Sequence, residues 1–334
     1  MLPTDLGEDI GDDGQGMEQS LDQDMELRAW RIDVAQHGWR LDQALAATVP
    51  EFSRSYLQQL IEAGAVRVNG VPVLKSAARI KAGEQGTIEL RPTPQSQAFK
   101  PELMALDVVF EDEHLLVVNK PAGLVVHPAP GNWSGTLLNG LLARDTRAQS
   151  LPRAGIVHRL DKDTSGLMVV ARTRLAMDAL VQMIAARDVS RQYLALAHHP
   201  WVGPRTRQVE AAIGRDPRNR LRMAVVDLAH QMGKTASTGF ELLDNADKGC
   251  WVRCTLKTGR THQIRVHMAS IGHALVGDGV YGGAPAAGLD RQALHAFRLA
   301  FVHPFTQAAL EFRAPLPDDM AQALLVWGLR YNQG

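Results

Sequence analysis

The sequence predicts an α+β protein: a small N-terminal αβ unit, then a larger one built on a mixed, largely antiparallel sheet flanked by helices. Three observations point there. Helical and strand-like patterns follow one another without the regular βαβ alternation of a parallel sheet. A polar, turn-rich stretch at 92–97 (PTPQSQ) separates two self-contained apolar patterns. With 334 residues, the chain can supply each with its own core. The boundaries read as an acidic, disordered tail over 1–28, a first domain over 29–92, a linker over 93–104 and a second domain over 105–334.

In the first domain Leu41, Ala44, Leu45 and Thr48 recur at i, i+3, i+4 and i+7, one face of a helix. Ser53 is placed to cap a second helix whose inward face is Leu57, Leu60 and Ile61 and which ends at Gly64. Val66 to Val71 reads as a strand broken by an Asn69-Gly70 turn, and 85–90 closes the unit as another strand. In the second domain 107–110 and 114–119 read as paired strands, and 167–171 as a buried one. Leu175, Ala179, Leu180, Met183 and Ile184 give a helical stripe; 191–197, 250–257 and 262–268 read as further strands.

No apolar run reaches 18 residues, so no transmembrane helix is expected. The N-terminus lacks the basic start and apolar stretch of a secretory signal. Cys250 and Cys254 are the only cysteines, so no disulfide framework is expected and the reducing cytoplasm is the natural compartment. The net charge of zero conceals a segregation. Nine acids precede Arg28 with no Lys or Arg among them, so the remaining 27 acids face all 36 basic residues. A basic body of that kind suits a polyanionic partner.

The most informative segment is 155–167, GIVHRLDKDTSGL. An apolar entry leads into a loop with two carboxylates and returns to an apolar strand, and catalytic groups concentrate on loops held this way. Taken alone, Asp161 and Asp163 are as readily turn or capping residues. The Asp-Lys-Asp-Thr run partly matches the nucleophile loop of haloacid-dehalogenase-like phosphatases, but its Thr falls one position early. The late Gly277-Asp278 pair also lacks the second carboxylate a Mg²⁺ site would want. Gly233-Lys234-Thr235 imitates the end of a P-loop, with Leu228 where the required Gly would stand. On a strand, His262 and His267 would point to opposite faces, so no zinc site is expected. The same alternation puts Gln263, Arg265 and His267 on one polar face, from which Arg265 can hold Asp161 ionised and oriented.

His158-Arg159-Leu160-Asp161 with the following KDTSGL resembles the catalytic motif of the RluA/RluD-type pseudouridine synthases. Residues 119–128 (NKPAGLVVHP), Arg191-Gln192-Tyr193 and 258–267 (TGRTHQIRVH) are similar to the family's other motifs. RLDQAL, SRSYLQQLIEAGAVRVNG and the turn at Lys81 resemble the S4 RNA-binding domain. The resemblance implies an isomerase that converts uridines of large-subunit (23S) ribosomal RNA, free or in an assembling subunit, to pseudouridine. The base is flipped, C1′–N1 is cleaved, uracil rotates, and C1′–C5 forms. No redox change or group transfer occurs, so no cofactor or metal is called for.

Among the residues, the resemblance implies Asp161 as the catalytic carboxylate, Arg265 as its partner and Tyr193 as a stacking surface for uracil. Arg159 would replace the flipped base, with His158, Lys120 and Arg260 also on the RNA-binding side. Arg40, Arg54, Arg67 and Lys75 of the S4-like unit would grip phosphates. Asp161 could trap an oxocarbenium-like C1′ or abstract a sugar proton to give a glycal; the sequence leaves both routes open. A monomer in the cytoplasm, without membrane contact, is expected. A non-catalytic RNA-binding module of the S4 class is the alternative.

Overall fold

The computed structural model describes residues 26–50, 52–90, 98–129, 131–219 and 222–331; the tail as far as residue 25 and the stretch at 92–97 lie outside them. The chain divides into two units, residues 1–98 and 99–334.

The first unit contains β1 (Glu26–Arg31), α1 (Leu41–Thr48), α2 (Arg54–Glu62), β2 (Val66–Val68), β3 (Val71–Pro72) and β4 (Gln85–Leu90). Its sheet runs β1-β4-β2-β3, antiparallel throughout. Ser53 caps α2 by accepting from Tyr56 N, and Leu57, Leu60 and Ile61 are buried against Leu41, Ala44 and Leu45 of α1. Asn69 and Gly70 both take positive φ, as a tight hairpin turn requires. Strand β1 was not foreseen, and it starts inside the stretch read as tail. Only Trp30 of its six residues is buried, so it offers no apolar alternation to read.

The second unit continues with β5 (Val108–Glu111), β6 (Leu115–Lys120), α3 (Leu137–Arg144), β7 (Ser165–Ala171), α4 (Arg174–Ala186), β8 (Ser190–His198) and β9 (Thr206–Glu210). Then follow β10 (Ile213–Arg215), β11 (Met223–Val225), β12 (Gly233–Lys234), β13 (Ser237–Ala246), β14 (Gly249–Leu256), α5 (Gln263–Ser270), β15 (Leu294–Val302), β16 (Ala309–Arg313) and α6 (Asp318–Trp327). The main sheet is ordered β5-β6-β7-β15-β8-β14-β13-β9, with β16 also on β15. Its pairs are antiparallel except β7–β15, so β15 joins two otherwise separate half-sheets.

Alternate residues of each central strand serve two cores. Tyr193, Ala195 and Ala197 of β8 pack on the side of α3 and α5, whereas Leu194 and Leu196 pack on the side of α6. Strand β7 is buried along its whole length because α3 covers one face and α4 the other, which is why its sequence is a continuous apolar run. At its start Gly166 has φ 114°, and a Cβ there would run into the Ala296 backbone of β15. This glycine allows the two half-sheets to close next to the 155–167 loop.

Two local expectations are corrected. The buried face of α4 is Ala176 and Leu180, with Leu175 71% exposed, so the stripe is displaced by one residue at its start. The segment at 262–268 is the helix α5, not a strand. Gln263 through Met268 are all buried, so no face of the helix is polar and the 3.6-residue period is erased. Its polar members are satisfied individually: Gln263 by Thr238 and the Ser237 carbonyl, and His267 by Thr238 and the Ala211 carbonyl.

Candidate active site

The loop ahead of β7, the strand β8 and the N-terminal turn of α5 converge on a cleft of about 440 Å³. Asp161 lies in its wall with its side chain 17% exposed. Arg265 Nη1 donates to Asp161 Oδ2 at 3.0 Å, while Nε and Nη2 fork onto Asp278 at 2.7 and 2.8 Å. Arg265 is 5% exposed and Asp278 2%. Burial works against the guanidinium's charge, but Asp278 and then Asp161 more than offset it and its pKa is raised. An arginine locked by one bidentate carboxylate can present its remaining N–H to the other in a fixed direction.

Helical geometry adds a partner that strand alternation would have turned away. His262 and Arg265 are three residues apart, so both sit on the Asp161 side of α5. His262 Nε2 is 3.8 Å from Asp161 Oδ1, and its Nδ1 is 2.8 Å from the Tyr281 hydroxyl. That hydroxyl also accepts from Met223 N at 3.1 Å, so Tyr281 ties His262 to the start of β11. Burial, partly countered by Asp161, holds the His262 pKa below the usual range. The Tyr281 ring also receives the Arg265 guanidinium at 5.0 Å.

Tyr193, 5% exposed, lines the same cleft from β8. Burial raises its pKa, so it is a neutral phenol at neutral pH. Arg159 is exposed, and among the described residues it makes no ion pair with Asp163 or any other carboxylate. Arg260 lines the cleft with Nε donating to Thr235 O at 3.1 Å.

Lys120 and His158, placed on the RNA side by the resemblance, each have internal partners. Lys120 is 1% exposed, and its Nζ donates to the carbonyls of Pro121, Leu124 and Lys162 at 2.8–2.9 Å. It ties the 119–128 segment to the residue after Asp161. Burial pushes its pKa down to about 8, against the pull of Asp163 and Asp161. His158 accepts from Val169 N at 3.1 Å through Nε2, and burial with the nearby Arg191 charge pushes its pKa down to about 3. It is neutral and bridges loop and strand, while its half-buried ring also lines the cleft. Replacing Lys120 by Met is accordingly expected to cost about 3 kcal/mol through the stranded carbonyls. It should also lower kcat at least tenfold through a displaced Asp161, with RNA affinity unchanged. Melting curves and a kcat-against-Kd comparison check this; weakened binding at full kcat would return Lys120 to the RNA side.

In the first unit Asp42, fully buried, accepts from Arg40, Arg54 and Gln58. Burial opposes its ionisation, but these donors more than offset it and lower its pKa. Arg40 and Arg54 are therefore organised by a carboxylate, although Arg54 is still exposed, as are Arg67 and Lys75. Among the described residues no three His, Cys, Asp or Glu side chains cluster as metal ligands would, and no helix is long and apolar enough to cross a membrane.

Comparison with known proteins gives the family. The family described as RNA pseudouridylate synthase matches residues 114–270, and the S4 domain matches residues 39–85. The chain is 49% identical over 308 residues to a ribosomal large subunit pseudouridine synthase D of Neisseria meningitidis serogroup A, covering 89% of this chain and 80% of that protein. It is 47% identical over 300 residues to the protein of the same description from Xylella fastidiosa, covering 86% and 88%. Among solved structures, human RNA pseudouridylate synthase domain containing 1 aligns with TM-score 0.50 at 28% identity, over 63% of this chain and 83% of that one. Motifs, fold and relatives converge: the chain belongs to the family of RNA pseudouridine synthases, with an S4 domain ahead of the catalytic one.

Proposed function

We propose that this enzyme isomerises uridines of large-subunit ribosomal RNA, with Asp161 acting at C1′ of a uridine flipped into the cleft. The observation that carries the site assignment is the Asp278–Arg265–Asp161 chain, which fixes one carboxylate of a basic cleft in a single direction. The substrate reading is supported by the descriptions of the Neisseria and Xylella relatives. Cleavage of C1′–N1 develops positive charge at C1′, which a nearby carboxylate stabilises or traps. Tyr193, neutral and facing the same space, stacks on uracil and can pass a proton. The S4 domain holds RNA through phosphates, with Arg54, Arg67 and Lys75 among its exposed cations.

The test is direct: purified protein is incubated with a large-subunit ribosomal RNA transcript without added metal, and the nucleosides are separated. Pseudouridine is expected; its appearance only in other RNAs would move the substrate assignment.

Arg159 is the group we assign to the place vacated by the base. It stands two residues before Asp161, and a planar guanidinium can recover stacking lost on flipping. Arg159→Ala is expected to impair a structured hairpin at least tenfold more than a flexible strand carrying the same uridine, with poor rescue by Lys. Equal damage on both substrates would leave a simple charge role.

A further inference from the structure

The cleft holds a second buried arginine that none of these roles uses. Arg191 stands on β8 two residues before Tyr193, so both side chains project to the same face, and both line the cleft. It is 8% exposed. Its Nε is sealed from solvent with no hydrogen-bond partner, and among the described residues its guanidinium meets no carboxylate. The group packs against bare backbone: a Cβ at Gly259 would lie 3.1 Å from its Nη1 and 3.7 Å from its Nη2. A side chain there would fill the seat.

An unpaired buried cation is costly, and proteins rarely keep one without use. The other cleft arginines show the contrast. Arg265 is equally buried but faces two carboxylates. Arg153, Arg159 and Arg187 are exposed, where phosphates arrive from solvent. Arg191 is withdrawn beside the Tyr193 ring, where a base rather than a backbone would lie.

The reaction supplies the missing anion. When C1′–N1 breaks, its electron pair leaves with uracil and spreads over N1, O2 and O4. Asp161 meanwhile bonds C1′ through a carboxylate oxygen, or takes the C2′ proton and leaves a C1′–C2′ double bond. The ring turns and a ring pair forms C1′–C5 as the Asp161–C1′ bond breaks or as C2′ regains its proton from Asp161; the C5 proton is then lost and N1 gains one. Under either route uracil carries negative charge in between. The half-turn that exchanges N1 with C5 also exchanges O2 with O4, so a donor fixed beside one oxygen finds the other in its place afterwards.

We propose that Arg191 is the counter-ion of the detached uracil, holding its charge through cleavage and rotation from a fixed seat on β8 and Gly259. This rests on the assignment of the cleft as the place where uridine reacts.

The test compares Arg191→Gln and Arg191→Met with wild type on one RNA carrying either uridine or 5-fluorouridine at the target site. Fluorine stabilises the ring anion without help from the protein. Turnover of uridine should fall about 10²- to 10³-fold, as when one preorganised donor to a developing anion is removed. Consumption of 5-fluorouridine should fall at least tenfold less. RNA affinity should change less than threefold, and the melting temperature of Arg191→Met should not drop, since an uncompensated charge has gone. Equal losses on both RNAs, or a loss matched by weaker RNA binding, would overturn the proposal. Should the Met variant fail to fold, the Gln variant alone decides. A wild-type protein that converts no uridine would sink the site assignment itself, a different failure.

Discussion

Asp161→Asn is expected to lower turnover by at least about three orders of magnitude while leaving fold and RNA affinity nearly intact. The amide is isosteric, and its oxygen can still accept from Arg265 Nη1, now at 3.0 Å from the carboxylate. At 17% exposure the side chain is not part of the apolar core, so melting should shift little. What is lost is the negative charge available to C1′. Product above about one hundredth of the wild-type rate would remove Asp161 from the chemistry. Asp163→Asn should be milder, because Asp163 is anchored through its backbone carbonyl to Arg291 rather than through its carboxylate.

Arg265 should combine the largest stability effect with a large catalytic one. Arg265→Met strands Asp278, 2% exposed, without its fork, and leaving one member of a buried pair alone costs about 3–5 kcal/mol. Lysine presents a point charge that can meet one carboxylate but not span both, so Arg265→Lys should recover little. The two contributions separate in a double variant. Arg265→Met with Asp278→Leu removes both buried charges and should regain much of the lost stability, as read by melting, yet remain inactive because Asp161 is no longer oriented. Activity returning along with stability would show that Arg265 serves folding alone.

Sequence reasoning found the meeting of Asp161 and Arg265 while assigning the wrong local structure to Arg265. The error has a physical origin: a helix buried on every side carries no polar face, and Ile264 and Val266 at alternate positions mimic a strand. The same error hid His262, which only a helical turn brings round to the carboxylate. Lys120 and His158 were legible as special, but their internal partners were not. A polar residue in a motif looks the same whether it faces a substrate or braces a loop, and the deciding partners are backbone groups that sequence does not advertise. Asp278 and Tyr281 lie more than a hundred residues beyond Asp161, and only their glycine-rich surroundings marked them. In the first unit, by contrast, spacing specified both helices and a cap the second, because their contacts are short-range.

The position of β15 has a consequence for when this enzyme becomes one. It is the last long strand to be made, yet it lies between β7 and β8, with the Asp161 loop on one side and Tyr193 and Arg191 on the other. Until residues 294–302 are inserted, the two half-sheets have no shared strand, and the groups of the cleft belong to separate pieces. Pairing across such sequence distances is slow, on the order of milliseconds to seconds, and exposes strand edges meanwhile. Closing that seam is the step on which assembly of the cleft depends.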